Sequence, residues 1–162
     1  MSTSNLAILG CGNIGSAIAK GLTKSGMATN NTILTQRKLE SLTELSETGF
    51  QTSIDNANAV QNAEIILLTV LPSQLMDLLD DISSNLSEDH LLISIVSGVS
   101  IAEIQEKVGK DIPIIRAMPN TAALLCESMT CLSSIPQFTQ GLKTAQTLFE
   151  KVGNTLVIDE TQ

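Results

Sequence analysis

The sequence predicts an α/β protein in which helices cover both faces of a doubly wound, mostly parallel Rossmann-type sheet. Short apolar runs alternate with amphipathic helical patterns along all 162 residues, and no low-complexity linker interrupts them. The run from Ile65 to Val70 has the apolar character of a central parallel strand that is buried on both faces. With 43% hydrophobic residues and only 2% aromatic ones, the core must be aliphatic. We expect residues 1–162 to form one domain that binds NAD(P).

A glycine-rich turn follows the first predicted strand, which runs from Leu6 to Leu9. It reads G-C-G-N-I-G and opens an amphipathic helix, the context that the G-x-G-x-x-G fingerprint of dinucleotide-binding folds requires. Gly10 would allow the tight turn, Gly12 the close approach of a pyrophosphate, and Gly15 the packing of the helix on the sheet. The alternative, a turn of purely structural origin, explains the flanking strand and helix less well. The residues predicted here to bind the cofactor are Gly10, Gly12, Asn13, Ile14 and Gly15.

The end of the second predicted strand indicates which cofactor is bound. Folds that prefer NAD place an Asp or Glu about 20 residues beyond the glycines, where it binds the ribose 2′-hydroxyl. Here the strand ends in Thr35 and continues without a carboxylate as Gln36, Arg37 and Lys38, which are predicted to bind the cofactor. A guanidinium at this position suits a 2′-phosphate, so NADP is predicted, with NADPH preferred over NADH. The alternative is that Arg37 and Lys38 only begin a solvated helix.

The remaining elements alternate in the same way. Predicted helices lie around Leu39, Leu42 and Leu45, from Asp55 to Ala63, along Leu75, Leu78, Leu79 and Ile82, after Ser100, and along Phe138, Leu142, Ala145, Leu148, Phe149 and Val152. Predicted strands lie at 50–54, 65–70, 91–96, 112–117, 129–132 and 155–158. Asp55 is the expected cap of its helix, and Ser100 forms a capping box with Glu103.

Ligands of such sheets bind at the carboxyl ends of the strands. The turns predicted at that edge are those at 10–13, 71–73, 97–100 and 118–121, together with Arg37. Val70, Leu71 and Pro72 are therefore added to the cofactor-binding residues. Met118, Pro119 and Asn120 are predicted to line the pocket for nicotinamide and substrate, although this segment would also make a rigid structural turn.

Composition and single residues exclude other classes of function. The formal charge of −8, without a basic patch, speaks against nucleic acid and anionic membranes as partners. Cys11, Cys126 and Cys131 are odd in number and lack C-x-x-C spacing, so no disulfide or metal site is expected and they are predicted to be small buried residues. Without a signal segment or an apolar run of about 18 residues, the expected compartment is the cytoplasm.

Hydrolysis is also excluded. His90, the only histidine, precedes a strand on the side away from the predicted cofactor edge and is expected to be exposed to solvent. There is no G-x-S-x-G elbow, and the acids on the helices are spaced as outward faces rather than as catalytic pairs. Hydride transfer fits better, because the cofactor supplies the chemistry and the protein binds and orients it.

Three segments resemble pyrroline-5-carboxylate reductase: 115–124, 94–100 and 10–15. The match spans nearly the whole chain. It implies NADPH-dependent reduction of the C=N bond of 1-pyrroline-5-carboxylate to L-proline, the last step of proline biosynthesis, with this chain as the cofactor-binding part. It also implies that Arg37 lies at the adenosine phosphate, that Met118, Pro119 and Asn120 flank the nicotinamide, and that the full-length enzyme is a homodimer or larger.

Two departures from that family bear on activity. Leu71 stands where members commonly have a lysine, and members continue into a helical, substrate-binding domain beyond the point where this sequence stops at Gln162. We therefore expect these residues alone to bind NADPH without reducing the imine. The competing interpretations are another reductase that uses NADP or a deazaflavin, and a stand-alone NADP-binding or regulatory module.

Overall fold

The computed structural model of the protein describes residues 5–161, and its eight strands form one sheet in the order β3-β2-β1-β4-β5-β6-β7-β8. The strands are β1 Leu6–Leu9, β2 Thr32–Thr35, β3 Gln51–Ser53, β4 Ile65–Leu68, β5 Leu91–Ser94, β6 Ile114–Met118, β7 Ser128–Ser133 and β8 Gly153–Val157. The first six are parallel, β7 is antiparallel to β6, and β8 is parallel to β7. The predicted doubly wound, mostly parallel sheet is confirmed.

Helices cover both faces of this sheet. They are α1 Asn13–Lys24, α2 Thr43–Glu47, α3 Asn56–Gln61, α4 Pro72–Ile82, α5 Ile101–Val108 and α6 Thr139–Phe149. The buried side chains of α1, α2 and α6 belong to one hydrophobic core and those of α3, α4 and α5 to the other. Alternate residues of β4 enter each core, Ile65 and Leu67 the first, Ile66 and Leu68 the second. This two-sided burial explains the apolar run seen in the sequence.

Several helix boundaries follow the predicted caps. The Asp55 carboxylate accepts the N–H of Asn58 at 2.9 Å, and Ser100 and Glu103 form both bonds of the capping box. The helix predicted around Leu39 begins instead as a 3₁₀ turn, Leu39–Leu42, in which Leu39 is exposed. None of the described helices combines the length and the apolar character that crossing a membrane would require.

His90 is buried, so its predicted exposure is wrong. Only 9% of the residue is accessible. Its Nδ1 accepts the N–H of Ser87 at 2.8 Å, which leaves Nε2 to donate to the carbonyl of Val60 at 3.2 Å. The imidazole thus satisfies backbone groups at the amino end of β5, and it lies far from the ligand-binding edge, as the sequence predicted.

A 3₁₀ turn that the sequence did not reveal, Thr121–Leu125, packs against α1. It ends in Cys126, which has a left-handed backbone (φ 59°) and whose thiol donates to the carbonyl of Gly21 at 3.3 Å. Gly21 faces this turn with no room for a side chain. A Cβ there would overlap the carbonyl oxygen of Ala123 and lie 2.9 Å from a methyl group of Val152.

Gly21→Ala is therefore expected to destabilise the protein by about 1–3 kcal/mol, the usual cost of overpacking. Helix propensity alone would give the opposite sign, a gain of about 1 kcal/mol. The free energy of unfolding in urea decides between them. Gly12→Ala is a control without overpacking, because the nearest atom to a Cβ there is 3.9 Å away; as a change at the N-cap of α1 it should cost at most about 1 kcal/mol. A more stable Gly21→Ala variant would show that the contact with the 3₁₀ turn is loose.

Candidate functional site

A cleft of about 860 Å³ lies along the carboxyl ends of the parallel strands. It is lined by turns that the sequence nominated: the glycine-rich turn, the end of β2, the start of α4, and the segment after β5. Of the predicted cofactor-binding residues, the cleft brings together Gly10, Gly12, Asn13, Ile14, Gln36, Arg37, Val70, Leu71 and Pro72. Gly15 and Lys38 lie outside its lining.

The glycine-rich turn forms the middle of the cleft. Gly10 has a left-handed backbone (φ +72°), and a Cβ there would overlap the side chain of Val70. A Cβ on Gly15 would lie 2.8 Å from Thr69 Oγ1, so this glycine allows α1 to approach β4. Gly12, in contrast, faces open space on the cleft side.

The amino end of α1 points into this space. No side chain caps the helix at Gly12, and its first turn carries no acid. Its first N–H groups are thus left for an external acceptor, and the helix dipole favours an anion there. The open space over Gly12 and these donors together fit the pyrophosphate of a dinucleotide.

Hydrogen bonds fasten the glycine-rich turn to the end of β2. The N–H of Gly10 donates to Thr35 Oγ1 at 3.2 Å, and the N–H of Cys11 donates to the Thr35 carbonyl at 2.7 Å. The Thr35 hydroxyl in turn donates to Asn56 Oδ1 at 2.6 Å, and Asn56 Nδ2 donates to Asp81 at 3.4 Å. Thr35 is buried, so this strand end positions the glycine turn as well as Arg37 two residues further on.

Polar residues of the cleft that sequence reasoning missed include Asn56, Thr69, Gln74, Asp77 and Asp81. The two acids are exposed, as predicted, but they face the cleft rather than open solvent. The spacing of the polar residues on α4 could have revealed that they face the cleft. Gln74, Asp77 and Asp81 are separated by three and four residues, which places them on one side of a helix that starts at the ligand-binding edge. Within the part of the chain that the structure describes, Arg37 is the only basic side chain that lines the cleft, so an anionic ligand would depend on it and on backbone N–H groups.

The other end of the cleft is lined by Ile95, Val96, Ser97 and Thr121. Met118, Pro119 and Asn120 precede Thr121 without lining the cleft themselves, although Met118 is 43% exposed. The side chain of Asn120 caps the 3₁₀ turn, because its Oδ1 accepts the N–H of Ala122 at 3.1 Å. Their role at a nicotinamide stays a prediction.

Cys11 lies within the glycine-rich turn and is 1% exposed. Burial raises the pKa of its thiol to about 11, against a smaller opposing effect of the Ser16 hydroxyl at 3.7 Å. Cys126 and Cys131 are half-buried, so the prediction of three buried cysteines is right only for Cys11. Within residues 5–161, no three His, Cys, Asp or Glu side chains lie together as a metal site would require.

We expect Cys11 to resist thiol reagents in the folded protein. At pH 8 its thiolate fraction would be about 0.1%, against roughly a quarter for an exposed cysteine. Reaction with a chromogenic disulfide should therefore modify Cys126 and Cys131 first and Cys11 only on unfolding in guanidinium. Mass spectrometry of the labelled peptides assigns each site. Rapid labelling of Cys11 in the native protein would contradict the buried position of this turn.

The chain is similar to an NADP oxidoreductase family and to pyrroline-5-carboxylate reductases. Residues 5–98 match the family described as NADP oxidoreductase, coenzyme F420-dependent. Pyrroline-5-carboxylate reductase 1 of Dictyostelium discoideum is 41% identical over 98% of this chain, which spans 31% of that protein. The solved pyrroline-5-carboxylate reductase of Coxiella burnetii superposes with a TM-score of 0.91 at 31% identity, over 97% of this chain and 59% of that one. The pyrroline carboxylate reductase of Plasmodium falciparum, solved with NADP bound, superposes with a TM-score of 0.88 at 26% sequence identity. The match covers 99% of this chain and 59% of that one.

Proposed function

The chain belongs to the family described as NADP oxidoreductase, coenzyme F420-dependent, and it matches the dinucleotide-binding part of pyrroline-5-carboxylate reductases; from this we propose that it binds NADPH for the reduction of 1-pyrroline-5-carboxylate to L-proline. The chain spans about three fifths or less of the relatives compared. The activity of a whole enzyme, its small imine substrate, its assembly as a homodimer and its cytoplasmic location are all parts of this proposal.

The observation that carries the proposal is the cleft itself. Its middle offers uncapped helix N–H groups beside the open face of Gly12, which suits a pyrophosphate. One end carries Arg37 and no acid from β2, which suits an adenosine 2′-phosphate. The other end is lined by Ile95, Val96, Ser97 and Thr121, which suits a nicotinamide ring with a carboxamide.

The bound cofactor would supply a hydride, and the chain's own residues would bind and orient it. The glycine turn, fixed by Thr35, would hold the two phosphates in the middle of the cleft. Leu71, 64% exposed at the cleft edge, replaces the lysine common in the family, so this chain would add an apolar contact where relatives offer a cation. The second candidate, an NADP-binding module without catalysis, shares these binding residues and differs only in turnover.

NADPH is expected to bind more tightly than NADH, and Arg37→Ala should narrow that difference by about 1 kcal/mol, or roughly fivefold. The effect lies below the usual range for a charge-assisted bond because the Arg37 side chain is exposed to solvent. Titration calorimetry with both cofactors measures it. Lys38→Ala removes the same charge from a neighbouring residue outside the cleft and should leave the difference unchanged. Equal affinities of the unmodified protein for NADPH and NADH would refute the preference.

A further inference from the structure

One carboxylate connects three separate parts of the chain near the proposed nicotinamide end. Glu160 lies after β8, and its Oε1 accepts the N–H of Ile101, the first residue of α5, at 2.6 Å. The same oxygen lies 3.4 Å from Nη1 of Arg116 in β6. Both side chains are largely buried, with exposed fractions of 17% for Arg116 and 24% for Glu160.

Each of these contacts leads directly to a turn at the cleft. Ile101 follows the turn at 97–100, whose Ser97 lines the cleft, and Arg116 lies two residues before Met118 and the turn that ends in Thr121. The start of α5 is firmly built, because the Ser100 N–H and hydroxyl both donate to Glu103 at 2.8 Å and lower the pKa of that carboxyl. Glu160 therefore joins a fixed helix start to the end of β6.

The charges favour this arrangement. A carboxylate at the amino end of a helix is stabilised by the helix dipole, and a guanidinium beside it adds a charge-assisted contact. Arg116 Nε is buried without a hydrogen-bond partner, and Glu160 is the acid within ion-pair distance of Arg116 among the described residues. Loss of the Glu160 charge would leave this largely buried guanidinium without an ion-pair partner, with only the longer-range attraction of Glu103, which is costly.

We propose that Glu160 is a positioning residue for the nicotinamide end of the cleft: through its bonds to Ile101 and Arg116 it fixes the separation of the turns at 97–100 and 118–121. This inference rests on the proposed function, since it assumes that a nicotinamide lies between those turns. It assigns no contact with the cofactor to Glu160 itself. The adenosine end, around Arg37 and Asn56, shares no contact with Glu160 among the described hydrogen bonds and ion pairs.

The test compares two probes by calorimetry: NADPH, and adenosine 2′,5′-bisphosphate, which has the adenosine half and no nicotinamide. In Glu160→Gln we expect NADPH affinity to fall about fivefold to tenfold and bisphosphate affinity to stay within about twofold. Arg116→Gln should give the same pattern, and the double variant should be no weaker than either single one, because all three break one contact.

Asp80→Asn is the matched control. It removes the same charge and breaks an exposed ion pair with Lys107 on the outer side of α5, 2.7 Å in length, away from the cleft. It should leave both affinities unchanged. An equal loss for both probes in Glu160→Gln, or no loss for either, would overturn the inference. An unmodified protein that bound neither probe would overturn the proposed function first and the inference with it.

Discussion

Gly12→Val is expected to abolish cofactor binding and to leave the fold intact. A Cβ on Gly12 meets no atom of the protein closer than 3.9 Å, so the side chain has room in the free protein. The Gly12 backbone (φ −88°) lies outside the left-handed region that only glycine adopts readily. The branched side chain would instead fill the space over the start of α1 that a pyrophosphate needs. We expect affinity for NADPH to fall by about a hundredfold or more.

Calorimetry and thermal unfolding followed by circular dichroism separate binding from folding. Gly15→Ala is the informative counterpart, because its Cβ would lie 2.8 Å from Thr69 Oγ1 and should lower stability. The two glycines belong to one motif, yet substitution of Gly12 would abolish cofactor binding, whereas substitution of Gly15 would lower the stability of the fold. Normal NADPH binding by Gly12→Val would mean that the glycine turn has a structural role only.

The second large effect concerns turnover. Residues 1–162 alone are expected to bind NADPH without measurable reduction of 1-pyrroline-5-carboxylate. Positioning of two reactants contributes up to about 7–11 kcal/mol to catalysis, and it requires a group that holds the substrate. Among the described residues that line the cleft, Arg37 is the only base, and it lies at the end away from the proposed nicotinamide position; Arg116 is paired with Glu160. No cation of the described chain is thus free to hold the substrate carboxylate beside the nicotinamide.

The measurement is NADPH oxidation with 1-pyrroline-5-carboxylate. It compares residues 1–162 with the same residues extended by the remaining part of the Coxiella burnetii enzyme, of which this chain covers 59%. Both should bind NADPH equally, and only the extended protein should turn over. Equal turnover by the two would show that the substrate is held by residues of this chain in a way that the cleft does not reveal. An extended protein that binds but never turns over would favour the regulatory module.

Local signals account for most of the correct sequence predictions. Caps at Asp55 and Ser100 act within one helical turn, and the apolar strands show their burial in their own composition. His90 was misjudged because its burial depends partly on the carbonyl of Val60, which is distant in sequence. The 3₁₀ turn before Cys126 lacks periodicity, and its left-handed end falls on a residue type that rarely adopts it.

In the candidate site, too, features encoded by nearby residues were predicted correctly and features that depend on the three-dimensional arrangement were not. The glycine turn and Arg37 follow from a motif of fixed spacing, so they were predicted by residue number. Asp77 and Asp81 were assigned to solvent because amphipathic spacing separates polar from apolar sides and cannot tell a cleft from open water. The antiparallel direction of β7 also left no mark in the sequence, since a strand pattern has no polarity.

The central place of β1 in the sheet has a consequence for folding during synthesis. Residue 6 pairs with residue 32 on one side and with residue 65 on the other, so β1 cannot be enclosed on both sides until β4 has left the ribosome. The β6 and β7 pair, in contrast, joins Met118 to Cys131 and closes a short loop. Closing long loops is slower than closing short ones. Until β4 is available, one edge of the apolar strand β1 has no partner strand, so the backbone groups along that edge stay unpaired.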